Sequence, residues 1–190
     1  MPVVRTFIAI NLDGSLHHTL TEVVERFASS KASVKWVAPE NTHITLKFLG
    51  AVDEDRLAEV YSACESAAEG FGPIDLEMKA IGCFPSLKRP RIVWLGIEKG
   101  AEDVKRLQQK VEAGLERTGF PKEEKEFRAH LTIGRVKGRQ GISNLCRLLE
   151  EDRNIFIGSM RADKISVMKS KTMPSGPVYT ELKAIPLQAR

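Results

Sequence analysis

The sequence predicts an α+β fold built as two lobes related by an approximate two-fold axis. Three observations carry that reading. The chain has 190 residues, 42% of them hydrophobic, which suits a single globular unit with a core of its own. Strand-like and helix-like periodicities follow one another along it. The sequence also matches itself when shifted by 87 positions without gaps: Phe7 falls on Trp94, Ile8 on Leu95, Ile10 on Ile97, Leu20 on Leu107, Val24 on Val111, and the run His43-Ile44-Thr45-Leu46 on His130-Leu131-Thr132-Ile133. Stacked repeats need about three copies to bury their faces, so two copies predict paired lobes instead.

The elements follow in order. Val3–Leu12 is an apolar run read as a buried strand that ends at the Asp13-Gly14 turn. Ser15 or Asp13 can cap the helix that follows, whose Leu16, Leu20, Val23, Val24 and Phe27 recur at helical spacing until Ser29-Ser30-Lys31 breaks it. Val34–Val37 and His43–Leu49 read as strands around the Pro39-Glu40-Asn41 turn. Asp53–Glu69 reads as a second helix with Leu57, Val60, Tyr61 and Cys64 on one stripe. Strands at Ile74–Ile81 and Ile92–Ile97, a helix over Ala101–Arg117, and a strand over Phe127–Val136 come next. A short helix at Ser143–Glu150 leads to strands near Lys164–Lys171 and Val178–Leu187.

Composition excludes more than it selects. With 29 Lys+Arg against 25 Asp+Glu the net charge is +4, which permits a phosphate-bearing partner without requiring one. Three separated cysteines, Cys64, Cys83 and Cys146, make neither a disulfide framework nor a zinc cluster, so free thiols in the cytoplasm are expected. Asp13 interrupts the N-terminal apolar run before it reaches signal-peptide form, and no stretch of about 20 apolar residues predicts a membrane span. His17 and His18 belong to no repeated motif and are expected to be solvated.

The repeated tripeptide carries the chemistry. Alternate side chains of a strand share a face, so His43 and Thr45 point one way while Ile44, Leu46 and Phe48 are expected in the core. His130 and Thr132 repeat the arrangement, backed by Leu131 and Ile133. Two imidazoles that titrate near neutrality can serve as general base and general acid in one turnover, and hydroxyls beside them can donate to phosphate oxygens. An in-line displacement at phosphorus needs base and acid on opposite sides, which a two-fold axis supplies. No Asp/Glu/His cluster with metal-ligand spacing appears in the sequence.

NTHITLKFLG (41–50) and FRAHLTIGRV (127–136) resemble the two signature motifs of the 2H phosphoesterase superfamily, and most closely those of the bacterial and archaeal RNA 2′,3′-cyclic phosphodiesterases once called 2′-5′ RNA ligases. RTFIAINL, KWVAPENTHITLKFLG and SGPVYTELKAIPL keep the family's order along nearly the whole chain, and Ala129 departs from the Pro that members often place before the second His. The resemblance implies a LigT-like pair of antiparallel sheets with flanking helices around a central cleft. Residues 1–190 would form a single catalytic domain, with repeat units beginning near residues 5 and 92. It implies hydrolysis of RNA and nucleoside 2′,3′-cyclic phosphates to 2′-phosphomonoesters, without metal or cofactor. His43 would be the proton donor to the departing 3′ oxygen and His130 the proton acceptor from water. Thr45, Thr132 and Arg135 would bind the phosphate, with Arg128 as the other candidate. Simple alternation puts Arg135 on the face opposite His130, so its role requires a strand end or a bulge. The partners implied are RNA 3′ ends bearing the cyclic phosphate, tRNA fragments among them, met by a monomeric enzyme. Basic segments 85–91 and 137–139 are candidates for the RNA-facing rim, and Phe48 or Phe84 for base stacking, although both read first as core. ATP-independent 2′-5′ joining of RNA ends and a non-catalytic RNA-end binding module are the alternatives.

Overall fold

The computed structural model describes residues 2–174 and 176–189. Its strands are β1 (Val3–Asn11), β2 (Val34–Trp36), β3 (His43–Asp53), β4 (Ile74–Phe84), β5 (Ile92–Ile97), β6 (His130–Val136), β7 (Phe156–Ala162), β8 (Lys164–Met173) and β9 (Gly176–Pro186), and its helices are α1 (His17–Ala28), α2 (Leu57–Ala68), α3 (Ala101–Arg117) and α4 (Ile142–Glu151). Asp13 caps a 3₁₀ turn over Gly14–Leu16, accepting from the Ser15 N–H at 2.8 Å, whereas α1 itself starts at His17 without a side-chain cap and is followed by Lys31 at a positive φ of 52°. The predicted helix from Asp53 begins instead as a 3₁₀ turn over Glu54–Arg56 and becomes α2 only at Leu57. The last predicted strand of the second repeat starts at His130 rather than Phe127, because the preceding residues form an irregular, largely exposed connection.

All nine strands belong to one antiparallel sheet in the order β7-β4-β5-β6-β3-β1-β8-β9, with β2 added beside β6. The sheet divides into two halves at its centre. There β3 and β6 touch in register only at Ile44 and Leu131. Those residues stand 87 positions apart, so the approximate two-fold axis passes between them. The halves are β3-β1-β8-β9 on one side and β6-β5-β4-β7 on the other, and we call them the first and second lobe.

The pairing corrects the ungapped repeat in one respect. Asn11 and Ala9 stand opposite His43 and Thr45, whereas Gly96 and Trp94 stand opposite His130 and Thr132. Relative to the motifs, the first strands are therefore offset by 85 positions, not 87, and Ile8 corresponds to Val93. A slip of two keeps every side chain on its face, so the apolar pattern matches equally well at either offset.

One face of the sheet carries the helices. Ile8, Ile10, Ile44, Leu46, Leu95, Leu131 and Ile133 are buried there with Leu20 and Phe27 of α1, Leu107 and Leu115 of α3, and Leu145 of α4. Helix α1 follows β1 but packs on β7 and α4 of the second lobe, while α3 follows β5 and packs on β3 and α2 of the first. This exchange locks the two lobes together although their central strands meet at one residue pair. Among the described residues no helix is long and apolar enough to cross a membrane.

Candidate active site

Both His-x-Thr motifs point from β3 and β6 to the face opposite the one on which the helices pack. His43 and Thr45, like His130 and Thr132, are partly buried, and Ile44, Leu46, Leu131 and Ile133 between and beyond them anchor the strands in the core. Each imidazole is oriented the same way. His43 Nδ1 lies 2.8 Å from the Asn41 carbonyl oxygen and His130 Nδ1 2.6 Å from that of Arg128. A carbonyl can only accept, so each Nδ1 carries the proton and donates it. The neutral ring then keeps its Nε2 lone pair free on the far side. Arg128 itself is exposed, with its guanidinium 3.8 Å from Glu126, so it contributes its carbonyl rather than its charge to the His130 ring.

Aromatic rings hold both imidazoles from the side. Phe7 on β1 lies 4.8 Å from the His43 ring, and Tyr179 on β9 meets it edge-on at 5.3 Å. Phe84 on β4 meets the His130 ring edge-on at 5.2 Å and stacks on Trp94, also at 5.2 Å. The Trp94 indole lies over Gly82, where a Cβ would stand 2.5 Å from the ring, so glycine is required there. Burial, the largest cause, holds both histidines below the usual imidazole value. The Nδ1 bonds to the carbonyls work against that shift, while the Arg135 guanidinium reinforces it at both rings.

A bulge in β6 brings Arg135 to the face of the two histidines. On β5, Trp94 pairs with Thr132 but Val93 pairs with Gly134, leaving Ile133 as an extra residue. Leu131, Ile133 and Gly134 are consequently buried, and Arg135 emerges on the face of His130 and Thr132. The first lobe has the same bulge. Ala9 pairs with Thr45 and Ile8 with Lys47, leaving Leu46 extra. Leu46 and Lys47 both turn inward, and Phe48 turns out, 61% exposed. The expectation that Phe48 belongs to the core is overturned for that reason. Phe48 is the structural counterpart of Arg135, 87 positions earlier.

Each bulge has its own support. Lys47, 5% exposed, reaches the helix side of the sheet, where Nζ donates to Glu112 Oε1 and to the Pro121 carbonyl at 2.7 Å. Glu112 also accepts from Gln108 Nε2 at 3.1 Å and from the Glu123 N–H at 2.9 Å. At the matching position Gly134 leaves room for Val34 and Trp36, which would stand 2.8 Å from a Cβ. The sequence assigned no role to Phe7, Tyr179 or Trp94, which strand pairing and ring contacts bring beside the histidines, nor to Lys47, which supports the bulge from the helix side. Among the described residues no group of three or more His, Cys, Asp or Glu side chains stands together as a metal ligand set. His18 is exposed and 3.5 Å from Glu22, and neither it nor His17 belongs to the site. A separate hollow of about 820 Å³ lies between the α2–β4 connection and α3 and includes none of these residues.

A duplicated antiparallel sheet that turns two His-x-Thr strands toward one face, opposite the packed helices, defines a phosphoesterase of the two-histidine type. The sequence matches the model of the LigT like Phosphoesterase family twice, over residues 10–94 and 95–179, and the chain belongs to that family. It is 35% identical over 184 residues to an RNA 2′,3′-cyclic phosphodiesterase of Methanothermobacter thermautotrophicus, covering 97% of this chain and 99% of the relative. A protein of the same name from Archaeoglobus fulgidus is 33% identical over 179 residues, 94% of this chain and 98% of its own. Among solved structures, TT0787 of Thermus thermophilus superposes with a TM-score of 0.80 at 26% identity, over 96% of this chain and 97% of that one. The fold is also that of E. coli LigT, with a TM-score of 0.79 at 19% identity over 99% of both chains.

Proposed function

We propose that this protein hydrolyses the 2′,3′-cyclic phosphate at an RNA 3′ end to a 2′-phosphomonoester, using His43 as proton donor and His130 as proton acceptor. The single observation that carries the reading is the pair of imidazoles, each held by Nδ1 with Nε2 free, on strands related by a two-fold axis. The names of the relatives support the same substrate.

Water attacks phosphorus in line with the P–O3′ bond. His130, neutral, takes one proton from it at Nε2, and His43, in its doubly protonated form, gives its Nε2 proton to O3′ as that bond breaks. The products are a free 3′-hydroxyl and a 2′-phosphate, and the proton left on His130 returns through solvent to His43. Thr45 and Thr132 donate to the non-bridging oxygens, and Arg135 offsets the charge that grows on them. The strained five-membered ring and the positioned acid and base leave no step that calls for a metal. The asymmetry of the site supports an orientation too: phosphate beside Arg135, terminal base against exposed Phe48.

Product identification tests this directly. In the presence of a chelator, the purified protein converts a nucleoside 2′,3′-cyclic phosphate into the 2′ isomer. Formation of the 3′ isomer, or binding without turnover, contradicts the proposal.

A further inference from the structure

Strand β2 adds a cation, Lys35, to this face. Lys35 pairs directly with Arg135 across the β2–β6 ladder. Residues directly opposite in an antiparallel pair share a face, with Cα atoms about 5 Å apart. The neighbours of Lys35 confirm which face it takes: Val34 and Trp36 pack over Gly134 on the helix side, so Lys35 points with Arg135 to the other. It is exposed, and its Nζ stands 3.8 Å from where a Cβ of Gly176 would be, beside the β8–β9 hairpin that also carries Tyr179.

Two like charges directly opposite on a strand pair repel. Among the described residues, neither Lys35 nor Arg135 has a carboxylate within ion-pair distance. An unrelieved pair of cations, set against the local preference of the sheet, is what a site for two successive anions requires. Arg135 is the one whose charge reaches both histidines. The first lobe has no counterpart: its position matching Arg135 is Phe48, which pairs with Phe7 of β1 as Arg135 pairs with Ile92 of β5, and among the described residues no strand flanks Phe48 on its other side as β2 flanks Arg135.

We propose that Lys35 binds the internucleotide phosphate 5′ to the terminal nucleotide, which makes an oligonucleotide end, rather than a free nucleoside cyclic phosphate, the preferred substrate. This rests on the reading of the site given above. Arg135 neutralises the reacting phosphate and Lys35 the next one along the strand. The terminal nucleoside spans the distance between them, with its base free to reach Phe48.

The test compares kcat/KM for a mononucleoside 2′,3′-cyclic phosphate with that for a short RNA ending in the same group, over a range of salt concentrations. The wild-type protein is expected to favour the oligonucleotide. Lys35→Ala should lower kcat/KM for the oligonucleotide roughly five- to tenfold at low salt, and its logarithmic salt slope by about 0.7, the loss of one phosphate contact on a single strand. The mononucleotide rate should stay unchanged, and Lys35→Arg should restore the preference. Thermal unfolding of Lys35→Ala should be unchanged or shifted upward, because a repulsion is removed. Equal losses on both substrates, or an oligonucleotide preference that survives Lys35→Ala, would overturn the proposal. Failure of the wild-type protein to hydrolyse the mononucleotide at all would instead strike the catalytic reading on which it rests.

Discussion

The two lobes share a backbone plan and differ in what they present at equivalent points. Both place His, Thr and a bulge in the same succession, and both bind the imidazole Nδ1 to the carbonyl two residues earlier. After the bulge they part. The first lobe offers the exposed ring of Phe48, with Phe7 and Tyr179 behind it; the second offers Arg135, with Lys35 beside it. In the mechanism we propose, duplication supplies the acid and base that an in-line reaction needs on two sides. Divergence supplies direction, because a nucleotide is itself asymmetric, with a base at one end and phosphate at the other. The bulge supports differ as well: a buried Lys47–Glu112 pair in one lobe, and the absence of a side chain at Gly134 in the other.

Substitutions can break this comparison at several levels. The largest effect falls on what the lobes share. His43→Ala or His130→Ala should each lower kcat about 10²–10⁴-fold, measured on a cyclic mononucleotide, with unfolding little changed. Cys64→Ala, in the core away from the site, should leave the rate intact. Next come the positions where the lobes differ. Arg135→Met should cost about 10²–10³-fold in kcat with any base. Phe48→Ala should act mainly on KM, by roughly 10- to 100-fold, as loss of one stacked base does. If Phe48→Ala instead lowered kcat as Arg135→Met does, the division into base side and phosphate side would fail. Smaller and of another kind are the supports. Glu112→Ala leaves Lys47 buried without its partner and should cost about 3–5 kcal/mol of stability in denaturant unfolding. Gly134→Ala must displace Trp36 or Val34 and should cost about 1–3 kcal/mol.

Protonation follows with a definite sign. Both histidines bind protons less tightly folded than unfolded. The unfolded chain therefore holds more protons between the folded values and the ordinary value near 6.5, and stability rises with pH across that window. Unfolding experiments should show stability falling as pH drops below about 6.5, less steeply in a His43→Gln variant.

Much of this was legible in the sequence, for identifiable reasons. Ile92–Ile97 and Ala101–Arg117 match the observed elements residue for residue, since strong periodicity and the Gly100 boundary define them. The His and Thr residues follow from duplication alone. What escaped was set by tertiary pairing. Strand β7 reads FIGSMRA, with Gly158 in the middle and Phe156 exposed at a sheet edge, so no alternation marks it. The bulges at Leu46 and Ile133 change the face of every residue beyond them, which is why alternation alone put Phe48 inside and Arg135 on the wrong side. Tyr179 reaches His43 from 136 positions away, a contact that only the order of the sheet creates.

The central claim is that His43 and His130 act as opposite partners in one proton exchange. The pH dependence of kcat/KM for a cyclic mononucleotide tests it most directly, because that quantity reports the acid and base of the free enzyme. Wild-type protein should give a bell whose limbs both lie below the ordinary histidine range, as the burial of both rings requires. His130→Ala should abolish the acidic limb and His43→Ala the basic one. Loss of the same limb in both variants, or full activity in His130→Ala, would contradict the account.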